Sequence, residues 1–237
     1  MKFYKMISSI NIDGNVPPGM NGENVKDREL FFDNDKCGPN RFYDKNYEFD
    51  YLEPMEFGDG REEEHSSVIY DYHSWLGESP LGAWLKPVSK QFKEILEQFN
   101  LGEYRFYKAL VLFKEKKHEY FVLQIFDDFY QDFIDFEKTI FNNLNSSRNL
   151  GERKLETKQF RSIQEVIDYS RSNWGSGVNW NYERVIMKPE FRALDLFTFY
   201  KFGDIVSERL KNAIEEAGLT GMEFKELPIP IEFSDEL

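Results

Sequence analysis

The chain has a single cysteine, Cys37, among 237 residues. No disulfide can form within it, which suits a reducing cytoplasm better than an oxidising exterior. Long apolar runs are also missing: the longest wholly apolar stretch is Ala109 to Phe113, far short of the ~20 residues of a membrane-spanning helix. The opening MKFYKMISSINIDG lacks the apolar core of about 7–15 residues that a secretory signal carries. These absences predict a cytoplasmic protein with no membrane partner.

Positive charge is scarce. Lys and Arg number 30 against 43 Asp and Glu, a net charge of −13. Nucleic-acid affinity comes from cationic side chains that displace counterions from phosphates, so this balance argues against DNA or RNA. The same excess favours a basic protein partner and would speed its association at low salt.

Signatures of catalysis are thin. Only three histidines occur; His65 and His73 flank Asp71 in EHSSVIYDYH, but no HExxH or CxxC spacing accompanies them. His118 is expected in an exposed charged turn. GESPLG, Gly77 to Gly82, is not a nucleophile elbow, because Leu81 stands where the second glycine belongs. Cys37, in DKCGPN, has no nearby histidine in sequence to activate it. WGSGVNW is neither a phosphate loop nor a dinucleotide fingerprint. Carboxylates abound, and that abundance makes any acid–base pair unspecific. No cofactor or metal is expected.

Aromatic residues, by contrast, make up 17% of the chain, and 23 of them are Phe, which lacks a polar handle and so belongs mostly to the core. Strands are expected at KFYKM, Val68 to Tyr72, Tyr104 to Phe113, Tyr120 to Phe126, Glu183 to Met187 and Leu194 to Tyr200. The third and fourth of these runs flank a charged turn, Lys114 to Glu119, and read as a hairpin. EYFVLQIF barely alternates, so its strand should be covered on both faces. Helices are expected from near Ser89 to Leu101-Gly102, and from Ser162 to Arg171. A further helix follows Asp204 or Ser207, with Leu210, Ala213, Ile214 and Ala217 inward and Gly218 as its stop. Thr220-Gly221 then turns into a half-buried strand, and Pro228 and Pro230 close the sheet edge. DDFYQDFIDFEKTIFNNL fits neither period cleanly.

No fixed-period repeat is apparent. Hairpins mixed with isolated helices predict an α+β fold, a largely antiparallel sheet with a few packed helices and a long irregular N-terminal segment. Residues 1–237 form one domain in this reading, with 1–85 a loop-rich lobe and 86–237 the core.

Two features suit partner contact. Asp44 to Glu64 holds nine acids and two bases among apolar residues, which fits either a solvated loop or a surface for a cationic partner. NWGSGVNWNY sets Trp174 and Trp180 among glycine and asparagine, a composition that fits a contact loop or local packing of both indoles. The candidate contact residues are therefore Glu62, Glu63, Glu64, Asp127, Asp128, Trp174, Asn179 and Trp180.

VSERLKNAIEEAGLTGMEF, Val206 to Phe224, follows the strand-like LDLFTFY and resembles the C-terminal signature of the eleventh class of bacterial polymorphic-toxin immunity proteins: strand, (I/V)SERL helix, G(L/I)TG, final strand. The middle region, YRFYKALVLFKEKKHEYFVLQIFDDFYQDFIDFEKTIF, is similar to the same group, with Thr139 in place of serine in its IDFEKS-like motif. The resemblance implies a cytoplasmic antidote that binds a cognate toxin and is not an enzyme. It supplies no catalytic residues. The residues alone leave two other readings open, an enzyme with an unannounced Asp/Glu/His site and an interaction module unrelated to toxins. Oligomeric state and toxin identity are not encoded in any recognisable way.

Overall fold

The computed structural model describes residues 1–8, 19–21, 46–57, 63–65, 68–73, 85–125, 129–143, 156–172, 180–199 and 202–236. Its strands are β1 (Phe3–Ser8), β2 (Gly19–Asn21), β3 (Glu48–Phe57), β4 (Glu63–His65), β5 (Leu85–Ser89), β6 (Tyr104–Phe113), β7 (Lys116–Ile125), β8 (Ile140–Asn142), β9 (Thr157–Lys158), β10 (Asn181–Met187), β11 (Leu196–Phe199), β12 (Gly203–Ser207), β13 (Met222–Glu226) and β14 (Ile231–Phe233). The helices are α1 (Lys90–Leu96), α2 (Ile163–Ser172) and α3 (Glu208–Glu216). Three mostly antiparallel sheets with these helices make the fold α+β. None of the described helices is long and apolar enough to cross a membrane.

The chain divides into two units, Met1–Phe129 with Leu194–Glu226, and Tyr130–Ala193 with Leu227–Leu237. The first holds the sheets β11-β12-β1-β13 and β2-β3-β6-β7-β5, the latter with β4 on β3; the second holds β14-β10-β8-β9.

The first unit contains one device twice. Ser89 ends β5 and its hydroxyl accepts the Phe92 N–H at 3.1 Å, capping α1; Ser207 ends β12 and accepts the Leu210 N–H at 3.2 Å, capping α3. Each serine hydroxyl also donates to a carboxylate, Ser89 to Asp71 at 2.7 Å and Ser207 to Asp195 at 2.5 Å. Each serine N–H donates at 2.8 Å to the backbone carbonyl of that same aspartate. An extended segment lies beside each capped strand, an isolated bridge of Tyr72 to Val88 in one copy and β11 with Leu196 opposite Val206 in the other, and two strands follow on the other side, β7 then β6 or β1 then β13. Ser89 and Ser207 are 118 positions apart, and the same spacing relates Val88 to Val206, Lys93 to Lys211, Glu97 to Glu215, Leu101 to Leu219 and Phe106 to Phe224.

Side-chain chemistry repeats along with the backbone. Lys93 reaches Glu97 at 2.6 Å and lies over the Phe106 and Phe121 rings; Lys211 reaches Glu215 at 2.6 Å and lies over Phe224 and Tyr4. The repeat escapes a search for a fixed period because there are two copies far apart, and the second takes β1 from the other end of the chain.

The copies are cross-linked by their aspartates. Asp195 also accepts the N–H of Asn100, in the chain leaving α1, at 3.0 Å, and binds Arg209 through both Nε and Nη2. Asp71 accepts the N–H and hydroxyl of Thr220, in the chain leaving α3, both at 2.9 Å. Each aspartate therefore starts one helix and holds the exit of the other. Beside this contact Gly221 has φ +97°, and a Cβ there would come within 2.2 Å of the Tyr72 carbonyl oxygen. Only glycine fits that approach. Phe92, Leu96, Leu210 and Ile214 then bury the facing sides of both helices in one core with Met6, Val88, Leu123 and Val206.

Several expectations change. The hairpin turn is only Lys114-Glu115, both at positive φ (50° and 62°); without Asn-Gly it carried no recognisable turn chemistry. His118 accordingly lies within β7, opposite Val111. Much of the acidic Asp44–Glu64 segment is strand, β3 and β4, where sequence allowed a loop. A register shift between Phe49 and Leu52 interrupts the alternation that would have marked it. Val68–Tyr72 forms only a bridge at Tyr72, and α1 stops at Leu96. Ser207, not Asp204, caps α3. β7 does pack on both faces, with Val122 and Leu123 fully buried.

Asp195→Ala should cost about 2–4 kcal/mol in urea unfolding, because it strands the Ser207 hydroxyl, the Asn100 N–H and the guanidinium together. Arg209→Ala should cost no more than about 1 kcal/mol, since that side chain is 57% exposed. Equal losses would contradict the account.

Candidate functional site

Two places in the described structure gather polar side chains, one in each unit. In the first unit Asp204, 4% exposed, accepts the Tyr72 hydroxyl at 2.8 Å and the Thr198 hydroxyl at 2.9 Å, and Lys86 Nζ lies 3.3 Å away. Lys86 and Asp204 are themselves 118 positions apart, so equivalent positions of the two copies meet as an ion pair. Burial, reinforced by the Asp204 charge and hydrogen bond, pushes the Tyr72 phenol well above its ordinary value. The cluster is enclosed and its groups satisfy one another, which is the arrangement of a structural centre.

In the second unit a cleft of about 1000 Å³ lies between the IDFEKT turn and the start of α2. Ile134, Phe136, Phe160 and Ile163 give it apolar surface, Asp132, Asp135 and Glu137 acidic groups, and Arg161 and Lys188 basic ones. The turn is held rigidly. Thr139, fully buried, accepts the Ile186 N–H at 3.1 Å and donates to the Ile186 carbonyl at 3.4 Å, while the Asp135 N–H reaches the same carbonyl at 2.8 Å. The hydroxyl is what this position uses, so threonine and serine are interchangeable in chemistry there. On the other wall Ser162 caps α2 by accepting the Glu165 N–H at 3.1 Å, and the Gln159 side chain donates to the Glu137 carbonyl at 2.7 Å. Lys138 lies 3.8 Å from Asp135, and Lys188 donates to the Asp132 carbonyl at 2.7 Å. Such a cleft offers apolar contact and charge of both signs.

Of the candidate contact residues, Glu62, Asp127, Asp128, Trp174 and Asn179 lie outside the described residues. Glu63 and Glu64 belong to β4, where Glu64 stands opposite Glu56 on β3; their side chains are likewise outside the description. Trp180 is 3% exposed, its ring edge-on to Phe160 and Tyr169. It therefore follows the packing alternative, as a core residue of the second unit, because the helix α2 and the Phe160 segment close over it.

The histidine reading also meets the structure only in part. His73 is fully buried, its ring near Tyr70 and Tyr120. The His65 side chain and Cys37 lie outside the described residues. Among the described residues no three of His, Cys, Asp and Glu are grouped as metal ligands. Sequence reasoning missed both the Lys86–Asp204 centre and the cleft; the 118-residue spacing was the available signal for the first.

Thr139→Ser should leave urea stability within about 1 kcal/mol of wild type, whereas Thr139→Val should cost about 1–3 kcal/mol by leaving the Ile186 N–H without an acceptor. Because the Tyr72 phenol titrates higher in the folded than in the unfolded chain, its contribution is complete below the ordinary tyrosine value near 10 and is lost as pH rises toward the folded value. Tyr120, raised by burial and then by the Asp71 charge, acts in the same sense. Unfolding measured from pH 8 to 11 should show falling stability, with a shallower fall in Tyr72→Phe; identical slopes would refute this assignment.

Among known proteins, no family model matches this chain and no curated protein matches it.

Proposed function

We propose that this protein is an immunity factor of the polymorphic-toxin kind, which binds a cognate toxin and blocks it sterically and electrostatically without catalysing a reaction. The observation that carries the reading is what the resembling residues do. In VSERL, Val206 and Leu210 are fully buried, Ser207 caps α3, and Arg209 clamps Asp195. In GLTG, Gly218 at φ +67° follows the end of α3, Thr220 binds Asp71, and Gly221 admits the Tyr72 carbonyl. Helix caps and turns recur in unrelated proteins, but these residues join segments far apart in the chain. These contacts give the resembling residues a structural role in this chain, and the functional reading rests on the resemblance itself.

Charge adds to this. The first unit carries 31 acidic against 20 basic residues, and the second 12 against 10. A basic toxin would be drawn to the first, and the cleft beside the IDFEKT turn offers a second foothold with apolar surface.

Co-expression with the product of the neighbouring toxin gene tests the reading. The protein should rescue growth and co-purify with the toxin, and its association rate should fall roughly tenfold or more between about 20 and 500 mM salt. Rescue without any complex would overturn direct binding; a salt-independent rate would remove the electrostatic part.

A further inference from the structure

β13 is an end strand, pairing among the described residues only with β1. Its counterpart in the other copy, β6, is covered on its outer side by β3 from Lys108 onward. The position equivalent to Lys108 is Glu226, where β13 ends, and Pro228 follows, whose missing N–H prevents a parallel strand from extending along this side as β3 does. Among the described residues nothing pairs with the outer side of Met222–Glu226, which presents the backbone groups of an edge.

The side chains there specify an occupant. Lys225 lies directly opposite Lys5 across the β1–β13 ladder, a like-charge cross-strand pair that is unfavourable in isolation. Glu223 and Lys225 are both exposed and share one face of the strand, while Phe224 turns to the face where Lys211 lies over its ring. The pattern Glu-Phe-Lys is self-complementary. When two copies of β13 run antiparallel about Phe224, each Glu223 stands opposite the Lys225 of the other chain, and the two Phe224 rings stand opposite each other. Each Lys225 then has a carboxylate on one side to offset Lys5 on the other.

We propose that β13 is a homodimer edge, on which a second copy of this chain adds antiparallel with Phe224 at the two-fold axis. The interface is isologous, so every charge pair occurs twice. It is independent of whether the partner of the monomer is a toxin.

Sedimentation equilibrium of the full chain from about 5 to 200 µM tests this, with circular dichroism to check folding of each variant. Wild type should approach twice the monomer mass. Glu223→Lys alone or Lys225→Glu alone sets like charges opposite at two points and should weaken dimerisation by roughly tenfold or more. The double swap Glu223→Lys with Lys225→Glu restores complementarity and should restore the dimer. A wild type that stays monomeric throughout the range overturns the proposal. So does a dimer that ignores the single changes, or a double swap that fails to recover it.

Discussion

Asp195 is the group on which the arrangement of the first unit depends. It is 1% exposed, yet its carboxylate receives a serine hydroxyl, a guanidinium and a backbone N–H from two separate stretches of chain. A buried carboxylate is costly unless each oxygen is occupied, so Asp195 is tolerated only where the Ser207 hydroxyl and the Asn100 N–H arrive together, with the more exposed Arg209 adding its charge from the outer side. That condition fixes the start of α3 against the exit of α1. Asp71 imposes the converse condition through Ser89 and Thr220, and the two helices are thereby held in one relation before any apolar packing is considered. The apolar residues between them, Phe92, Leu96, Leu210 and Ile214, then fill a space whose walls are already set.

The Lys86–Asp204 pair adds a different constraint. In a strictly symmetric arrangement equivalent positions would carry the same residue, and two buried like charges would repel. Here one copy contributes the cation and the other the anion, with Tyr72 and Thr198 supplying hydrogen bonds to the remaining acceptor sites of Asp204. Buried pairs of this kind add little net stability over an apolar replacement. What this pair contributes is complementarity between the two copies, since neither could pair with a duplicate of itself at this point.

Much of this was legible locally and little of it globally. Ser89, Ser162 and Ser207 announced their helices, Gly218 its stop, and the unalternating EYFVLQIF its double burial, because caps and periodicity depend on neighbours in sequence. β3 was hidden by its register shift, and the Lys114-Glu115 turn by residues that seldom adopt positive φ. Asp71 and Asp195 looked like any two of many acids, since their partners lie far away in the chain. Trp180 illustrates the same limit for the candidate site: glycine and asparagine around it suggested a surface loop, whereas Phe160 and Tyr169, which enclose it, lie ten or more residues away.

The two aspartate clamps form a single cooperative device, and a double-mutant cycle between Asp71→Ala and Asp195→Ala measures that directly. Unfolding free energies of both single variants, the double variant and wild type should reveal coupling of at least about 1 kcal/mol, because loss of either clamp already loosens both helices. Losses that add within about 0.3 kcal/mol would mean that the clamps act independently, and would contradict the claim that one lock holds the two copies together.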